Sequence, residues 1–307
     1  MALQAQEAWQ AWGMPAPRIL ILGATGGLGR ALHRHFAASF PTLSWGRADL
    51  NLERPDTIAA ALASQKFDVL LNAAGMTSPD VCEVEPERAF LANAVAPQIL
   101  AECCELRGAR MIHFSTDYVF SGRNRDLWCE TDETVPVNTY GRTKLAGEQA
   151  VLNASPGALV ARVSWLFGPY KPSHPDSIIQ RALQTDDLSA VADKISVPTS
   201  NADICGWIEQ LIVRHPTTSG VLHLCNSGVA SWHSWAEAAL TIAARLEVPV
   251  KTTIVKPIDL ASLTQLKAPR PLMTVMSNAK LQSLLGGEIR NWFDALEEYL
   301  VQKYQPQ

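Results

Sequence analysis

The 307-residue sequence lacks the features that mark membrane, secreted and nucleic-acid-binding proteins. No apolar run is long enough to cross a bilayer, and the Lys and Arg residues form no run that could follow a phosphate backbone. The opening stretch, MALQAQEAWQAWGMPAP, has no charged segment followed by an apolar one. It is therefore not a secretion signal, and a frayed helical leader is one interpretation of it. We expect no membrane partner and no nucleic-acid partner.

The cysteines also lack any pattern that would indicate a metal site or a redox pair. None of the six forms a Cys-x-x-Cys motif, and no histidine pair has the spacing of a zinc site. Buried, reduced thiols in a cytoplasmic protein are therefore the preferred interpretation. We expect no bound metal.

Short apolar segments alternate with helical patterns through the first half of the chain. Strands are predicted at 18–22, 42–45, 67–72, 109–115 and 158–165. Helices are predicted at 28–38, 56–65, 86–107 and 140–152. This alternation predicts an α/β fold with a doubly wound, parallel Rossmann-type sheet.

The pattern changes after Phe167, where the Pro-rich segment GPYKPSHP begins. Helices are predicted further on at 176–184, 203–214, 231–246 and from 292, with strands at 188–191 and 220–225. We therefore predict a dinucleotide-binding domain at 17–165 plus about 203–246. A smaller, discontinuous C-terminal substrate-binding lobe would comprise 166–202 plus about 247–307.

A glycine-rich turn, GATGGLG, follows the first predicted strand and precedes the first helix. Gly23 can make the tight turn, Gly26 lets the backbone approach a pyrophosphate, and Gly29 lets the helix pack close to the sheet. An ordinary strand–helix turn is the alternative. The position between strand and helix favours dinucleotide binding, with phosphates at the helix N-terminus.

Arg47 follows the second predicted strand, at about the place where NAD-specific proteins carry a carboxylate for the adenosine ribose. A guanidinium there would pair with a 2′-phosphate, so we predict NADPH as cofactor, with NADH as the second option. Asp49 could meet the adenine edge. A solvated surface arginine is the alternative role for Arg47.

Polar residues end two further strands, and a Tyr–Lys pair follows them. Asn72 and Thr116 come at strand ends, on the sheet edge where ligands of such folds bind. Tyr140 and Lys144 lie four apart on one helix face, which is also a common arrangement of surface pairs.

A hydride delivered to a ketone leaves an alkoxide that needs a proton. Tyr140 could donate it, and we expect the Lys144 ammonium to lower the pKa of that phenol. Thr116 could hold the substrate oxygen.

These segments resemble the extended short-chain dehydrogenase/reductase family. More narrowly, FSTDYVFSG (114–122), ETDETVPVNTYGRTKLAGE (130–148), RVSW (162–165) and GVLHLCNSG (220–228) are similar to the dTDP-4-dehydrorhamnose reductases. The resemblance covers roughly residues 18–300. It implies NAD(P)H-dependent reduction of the 4-keto group of a nucleotide-linked 6-deoxyhexose, dTDP-4-dehydrorhamnose to dTDP-rhamnose in particular.

The resemblance also implies roles for individual residues. The expected catalytic residues are Thr116, Tyr140 and Lys144. With the residues argued above, the expected cofactor-binding set is Gly23, Thr25, Gly26, Gly27, Leu28, Arg47, Asp49, Leu50, Asn72, Ala73, Ala74, Tyr140 and Lys144. The expected substrate-binding set is Thr77, Thr116, Asp117, Tyr118, Trp165 and Arg270.

Two residues of the substrate set have a structural alternative. Trp165 could offer its indole face to the sugar ring or be a core aromatic at a strand end. Arg270 could meet the substrate pyrophosphate or be a structural loop arginine.

Two other functions stay open at this level. An NAD-dependent sugar-nucleotide epimerase would use the same fold and keep its cofactor bound through turnover. A non-catalytic dinucleotide-binding regulatory subunit is the second alternative, although both Tyr140 and Lys144 are present. We expect a nucleotide-sugar substrate as partner and keep a homodimer open as the assembly.

Overall fold

A parallel sheet forms the centre of the protein in the computed structural model, which describes residues 15–123 and 126–305. The N-terminal leader discussed above lies largely outside these residues. Numbered in chain order, the strands are β1 Ile19–Leu22, β2 Thr42–Trp45, β3 Val69–Asn72, β4 Arg110–Thr116, β5 Leu159–Val163, β6 Leu166–Phe167, β7 Ser189–Val191, β8 Ile195–Ser196, β9 Thr199–Ser200, β10 Gly220–His223, β11 Ala230–Ser231 and β12 Lys256–Ile258. The main sheet has six strands in the order β10-β5-β4-β3-β1-β2, and every neighbouring pair is parallel. The predicted doubly wound Rossmann-type sheet is confirmed.

Helices cover both faces of this sheet. In chain order they are α1 Gly27–Phe36, α2 Ile58–Ala63, α3 Pro79–Val84, α4 Pro86–Phe90, α5 Ala96–Leu106, α6 Thr139–Ala154, α7 His174–Ala182, α8 Asn201–Val213, α9 Trp232–Arg245, α10 Ala279–Leu285 and α11 Trp292–Tyr304. Single 3-10 turns lie at Pro55–Thr57, Asp117–Val119 and Leu260–Ser262. The sequence did not predict α3 or α10. Both are too short to show a helical period, and α3 depends on a local cap in which the Ser78 hydroxyl accepts from the Val81 N–H.

The helix predicted at 86–107 is interrupted by a π-helical turn, Leu91–Val95. Asn93 in this turn is fully buried, and its amide donates to the Met76 carbonyl (2.9 Å) and to the Thr143 hydroxyl (3.1 Å). Its side-chain oxygen accepts from the Met76 N–H at 2.8 Å. Turns of this kind often accompany functional sites. Here the turn ties the loop after β3 to α6, the helix that carries Tyr140 and Lys144.

Strand β1 shows why the sequence has a continuous apolar run at this place. Ile19 and Ile21 belong to the apolar cluster that packs α1 and α8 on one face of the sheet. Leu20 and Leu22 belong to the cluster that packs α2 and α5 on the other face. Because both faces are covered, every residue of the strand is buried. The strand is thus packed on both sides up to the edge where the cleft begins.

A third apolar cluster lies in the C-terminal half, outside the sheet. It packs α7, α9 and α11 together around Trp235, Leu240 and Leu296, all of them buried. The sequence grouped α9 with the dinucleotide-binding part, whereas its packing partners here are helices of the predicted lobe. The division into two functional units stays a prediction.

None of the helices in the described ranges combines the length and the hydrophobicity that spanning a bilayer requires.

Candidate active site

A cleft of about 610 Å³ opens along the carboxyl edge of the parallel sheet. Its lining includes the ends of β1, β3, β4 and β5, at Leu22, Ala73, Thr116 and Val163. The glycine turn after β1 and the Tyr140–Lys144 helix face the same space. Doubly wound folds bind their ligands at this edge. The cleft is therefore the candidate active site.

The turn after β1 requires glycine at two positions. Gly23 has φ +86°, and a Cβ there would lie 2.7 Å from the Ala73 carbonyl. A Cβ on Gly29 would lie only 2.0 Å from the Gly23 carbonyl oxygen. No side chain can approach so closely, so this packing admits only glycine. The turn thus brings β1, the start of α1 and the loop after β3 into direct backbone contact.

The first turn of α1 is suited to hold a pyrophosphate. The helix begins at Gly27, and its N-cap residue, Gly26, has no side chain with which to cap it. The first N–H groups of α1 are therefore available at the cleft, where the helix dipole favours an anion. Asn201 and Lys171 lie beside Gly27, and the side-chain oxygen of Asn201 is buried without a partner among the described residues. These groups fit the phosphates of a dinucleotide.

Arg47 lies at the cleft beyond the end of β2, and 69% of its side chain is exposed. Its Nη2 donates to Glu53 at 2.9 Å, and Arg88 donates to the same carboxylate, also at 2.9 Å. Together these arginines lower the pKa of Glu53, with the Arg88 hydrogen bond as the main cause. Asp49 accepts from the Gly46 N–H at 2.8 Å, which shapes this turn, and it does not line the cleft. Arg47 is thus accessible to a phosphate, although it already has one carboxylate partner.

The three expected catalytic residues line one cleft. Thr116 ends β4, while Tyr140 and Lys144 lie on α6. The Asn138 side chain caps α6 by accepting from the Gly141 N–H at 2.8 Å. This cap sets the start of the helix and so the position of Tyr140 in its first turn. Tyr140 is almost fully buried, and the Thr116 hydroxyl acts on its phenol. The phenol and the hydroxyl can therefore act on one substrate oxygen.

The pKa of Tyr140 differs from the expectation. Burial raises the pKa of this phenol above its ordinary value, and the neighbouring Thr116 hydroxyl offsets only part of the rise. Lys144 is not among the groups that lower the pKa of Tyr140, and its Nζ donates to the Phe114 carbonyl at 2.7 Å. Burial lowers the pKa of Lys144 itself to about 8. Tyr140 is thus held in its protonated form, as a proton donor to an alkoxide must be.

Asn72 and His113 form a buried pair behind Lys144. The Asn72 amide nitrogen lies 3.0 Å from His113 Nδ1, and His113 Nε2 lies 3.3 Å from Lys144 Nζ. Both Asn72 and His113 are fully buried. Asn72 also accepts from the Ala74 N–H at 3.2 Å and thereby shapes the loop that lines the cleft. Asn72 itself does not line the cleft. His113 is therefore a hydrogen-bonded core residue.

Asp117 is a buried carboxylate next to Thr116. It accepts hydrogen bonds from the hydroxyls of Thr116 (3.1 Å), Ser196 (3.0 Å) and Thr274 (2.5 Å). Burial raises its pKa, while Lys194 and these hydroxyls oppose the rise. Its oxygens are thus engaged by the protein, and the carboxylate anchors Thr116 to the lobe strands.

Lys194 is a fully buried lysine that the sequence did not single out. Its Nζ donates to the Pro271 carbonyl at 2.6 Å and lies 4.9 Å from the Tyr118 ring centroid and 5.6 Å from that of Trp165. Burial lowers its pKa to about 8. It supports two aromatic rings that line the cleft. A lysine in a turn-rich segment gives no sequence signal for such a role.

Trp165 lines the cleft and is only partly buried. Its indole stacks on Trp235, with ring centroids 5.6 Å apart and an interplanar angle of 11°. Its backbone has φ +42°, a left-handed conformation that is uncommon for a bulky residue and is found most often at functional sites. The indole thus lines the cleft with Trp235 stacked against it and Lys194 Nζ over the ring, 5.6 Å from its centroid.

Arg270 lies away from the cleft lining. Its guanidinium donates to Asp80 at 2.7 Å and to the Ala268 carbonyl at 2.7 Å, and only 7% of the side chain is exposed. Asp80 also accepts from the backbone N–H groups of Lys267 and Ala268. This geometry favours the structural alternative over a contact with the substrate pyrophosphate.

The structure brings most of the expected site residues to one cleft. Asp49, Asn72 and Arg270 are the expected residues that do not line it, whereas Thr25, Leu28, Leu50, Ala74, Thr77 and Tyr118 do. Ser115 and Asn201 also line the cleft, and each has a buried polar atom without a hydrogen-bond partner among the described residues. The sequence did not single out either residue, because serine and asparagine at element ends usually act as caps.

Taken together, the fold and the cleft define a Rossmann-type, dinucleotide-dependent oxidoreductase with a Tyr–Lys pair. Comparison with known proteins identifies the family. Residues 17–305 match the RmlD substrate binding domain family, and the chain belongs to it.

Characterised relatives agree with this assignment over nearly the whole chain. A dTDP-4-dehydrorhamnose reductase of Mycolicibacterium smegmatis is 38% identical, over 92% of this chain and 85% of its own length. A probable dTDP-4,6-dihydroxy-2-methyloxan-3-one 4-ketoreductase of Streptomyces antibioticus is 36% identical, over 92% and 94%. A crystal structure of dTDP-4-dehydrorhamnose reductase from Bacillus anthracis in complex with NADP is similar with a TM-score of 0.86 and 27% identity, covering 94% of this chain and 99% of that one. The resemblance read from the sequence motifs is confirmed.

Proposed function

We propose that this protein is an NADPH-dependent reductase for the 4-keto group of a nucleotide-linked 6-deoxyhexose. Conversion of dTDP-4-dehydrorhamnose to dTDP-rhamnose is the reaction that the relatives support best. The observation that carries the proposal is that Thr116, Tyr140 and Lys144 line the same cleft as the phosphate-binding turn of α1.

Each catalytic side chain has a role that its environment supports. When bound, the reduced nicotinamide supplies the hydride. The Thr116 hydroxyl can hold the substrate oxygen, and Tyr140 can donate its proton to that oxygen as negative charge develops. Burial keeps the phenol protonated until that moment. Trp165 supplies a stacking face for the sugar ring, because its inner face is already held by Trp235.

The preference for NADPH has two supports. Arg47 lies at the cleft with an exposed guanidinium, and the related Bacillus anthracis structure contains NADP. A 2′-phosphate would compete with Glu53 for this guanidinium. The preference is therefore expected to be moderate, with NADH as a weaker substrate.

A substrate panel tests the proposal. The protein is mixed with NADPH and with dTDP-, UDP- or GDP-linked 4-keto-6-deoxy sugars, and NADPH absorbance is followed. We expect oxidation with the dTDP-linked sugar and slower oxidation with the others. If NADPH stays unconsumed with every sugar, the reductase proposal is wrong.

The Streptomyces antibioticus relative supports a second substrate within the same reaction class. Its identity to this chain, 36%, is nearly that of the Mycolicibacterium smegmatis reductase, 38%. The panel should therefore include the dTDP-linked substrate named for that relative. The ratio of kcat/KM for the two dTDP sugars decides between them.

The alternative functions have distinct outcomes in the same experiments. An epimerase would be purified with cofactor bound and would consume none. A regulatory subunit would bind NADPH and leave every sugar unchanged.

We place the enzyme in the cytoplasm, and the described cysteines support this because all are free and only Cys129 is exposed.

A homodimer is supported by an exposed apolar surface at Val84 and Phe90, which are 56% and 49% exposed. Sedimentation would measure the assembly.

A further inference from the structure

We propose that His113 is a positioning residue that holds the neutral amine form of Lys144 by donating a hydrogen bond from Nε2. In this way it makes the Lys144 ammonium a better proton donor during reduction. The role in catalysis rests on the proposed function. The geometry of the three buried groups Asn72, His113 and Lys144 does not.

Asn72 decides which ring nitrogen of His113 carries the proton. The Asn72 side-chain oxygen accepts from the Ala74 N–H at 3.2 Å, so its amide nitrogen is the group directed at His113. That nitrogen lies 3.0 Å from His113 Nδ1 and can only donate. His113 Nδ1 must therefore be the acceptor. Burial and the nearby Lys144 keep the ring neutral, because they lower the pKa of His113 well below its ordinary value. The single ring proton then resides on Nε2.

The Nε2 proton of His113 points at Lys144. The two nitrogens are 3.3 Å apart, and Lys144 Nζ also donates to the Phe114 carbonyl at 2.7 Å. An ammonium has no lone pair, so an N–H facing it makes no hydrogen bond. A neutral amine has a lone pair that can accept the His113 proton while one of its own N–H groups still serves Phe114. The arrangement therefore stabilises the amine relative to the ammonium.

The stabilised amine form of Lys144 matters in the step that follows proton donation by Tyr140. When the phenol gives its proton to the substrate oxygen, the O–H bond of Tyr140 breaks and a phenolate remains. We take Lys144, which lines the same cleft, as the source of the returning proton: its N–H bond breaks as the phenol O–H forms again. The nitrogen keeps the electron pair and becomes an amine, which accepts the waiting His113 Nε2–H. The transfer from Lys144 to Tyr140 is balanced, and Lys144 regains a proton from solvent before the next turnover.

The other charged groups near Lys144 act in the opposite direction. Glu148, on the same helix, raises the pKa of Lys144, as does Cys82 on α3, although burial outweighs both. Glu148 is itself paired with the buried Arg162 at 2.7 Å. His113, whose Nε2 lies 3.3 Å from Lys144 Nζ, is thus the group that we assign to favour the amine.

The tautomer of His113 can be measured directly in the unmodified protein. Two-bond ¹H–¹⁵N correlation spectra of protein labelled at histidine report which ring nitrogen is protonated, and loss of one pattern in His113→Gln assigns the signals. We expect His113 to keep a protonated Nε2 and a bare Nδ1 between about pH 6 and pH 9. A protonated Nδ1 would overturn the proposal. This test needs no turnover, and the tautomer itself is read in the wild-type protein.

A second measurement follows the proton affinity of Lys144. The lysine ¹³Cε signals are titrated in wild-type protein and in His113→Phe, with Lys144→Met used for assignment. We expect the pKa of Lys144 to rise in His113→Phe by about one unit, a tenfold change in proton affinity. An unchanged or lowered pKa would show that His113 accepts from the ammonium or does not act on it. His223→Phe is the matched control, since His223 is also fully buried on a strand of the sheet and should leave Lys144 unmoved.

The two readouts also separate this inference from the proposed function. If the substrate panel shows no NADPH oxidation while the tautomer is as expected, the reaction assignment fails and the His113–Lys144 interaction stands. If the panel shows reduction while Nδ1 is protonated, the inference fails alone.

Discussion

Replacing Tyr140 with phenylalanine should separate proton donation from every other property of the site. The Tyr140 ring packs edge-on against Tyr118, with centroids 5.5 Å apart, and a phenylalanine ring keeps this contact. Removing the hydroxyl takes away at most one hydrogen bond within the fold, which is worth about 0.5–1.5 kcal/mol. Catalysis loses its general acid, which typically contributes about 10²–10⁴-fold, or roughly 3–5 kcal/mol of barrier. The kcat of Tyr140→Phe should therefore fall far more than its stability does.

The assay is NADPH oxidation with the preferred dTDP-linked sugar, together with the Kd for NADPH from fluorescence. We expect the Kd to change less than about threefold, because the phosphate-binding turn is untouched. Tyr299→Phe is the control, since its hydroxyl donates to Asp176 at 2.6 Å outside the cleft lining and should not alter kcat. Retention of more than about a tenth of kcat in Tyr140→Phe would refute the assigned role.

Four further outcomes follow from the structure. Trp165→Ala should raise KM for the sugar nucleotide about tenfold and leave KM for NADPH unchanged; an unchanged sugar KM would indicate a purely structural aromatic. Arg47→Ala should weaken NADPH binding by about 1 kcal/mol and spare NADH, so equal effects on both cofactors would contradict the 2′-phosphate contact. Gly29→Ala should lower Tm or NADPH affinity, because its Cβ would lie 2.0 Å from a carbonyl oxygen, and wild-type values for both would show that the turn adapts. In wild-type enzyme, kcat should decline as pH rises through about 8, where Lys144 loses its proton, and a constant kcat up to about pH 10 would exclude Lys144 as the returning acid.

Local sequence patterns were sufficient to predict the parallel sheet and most of the residues that line the cleft. The run Ile19–Leu22 is buried on both faces, so its apolar continuity indicated a central strand directly. The glycine spacing of the following turn favoured close backbone contact, which Gly23 and Gly29 make in the structure. Because parallel strands end at one edge, the order of the segments along the chain was enough to place Thr116 near the Tyr140 helix.

Features that depend on distant contacts could not be predicted in this way. The π-helical turn around Asn93 exists because its amide reaches Met76 and Thr143, which lie far from it in sequence. Arg270 pairs with Asp80, which is 190 positions away, so sequence reasoning left its role open. The raised pKa of Tyr140 follows from burial, which residue spacing does not report.

The central claim is that hydride goes from the nicotinamide to C4 of a dTDP-linked keto sugar, with Tyr140 supplying the proton. Incubation of the enzyme with NADPH deuterated at the transferring position of C4, followed by mass spectrometry of the sugar nucleotide, tests it most directly. The account predicts one deuterium at sugar C4 in the reduced product and stoichiometric NADP⁺. A product without deuterium, or turnover without loss of NADPH, would contradict it.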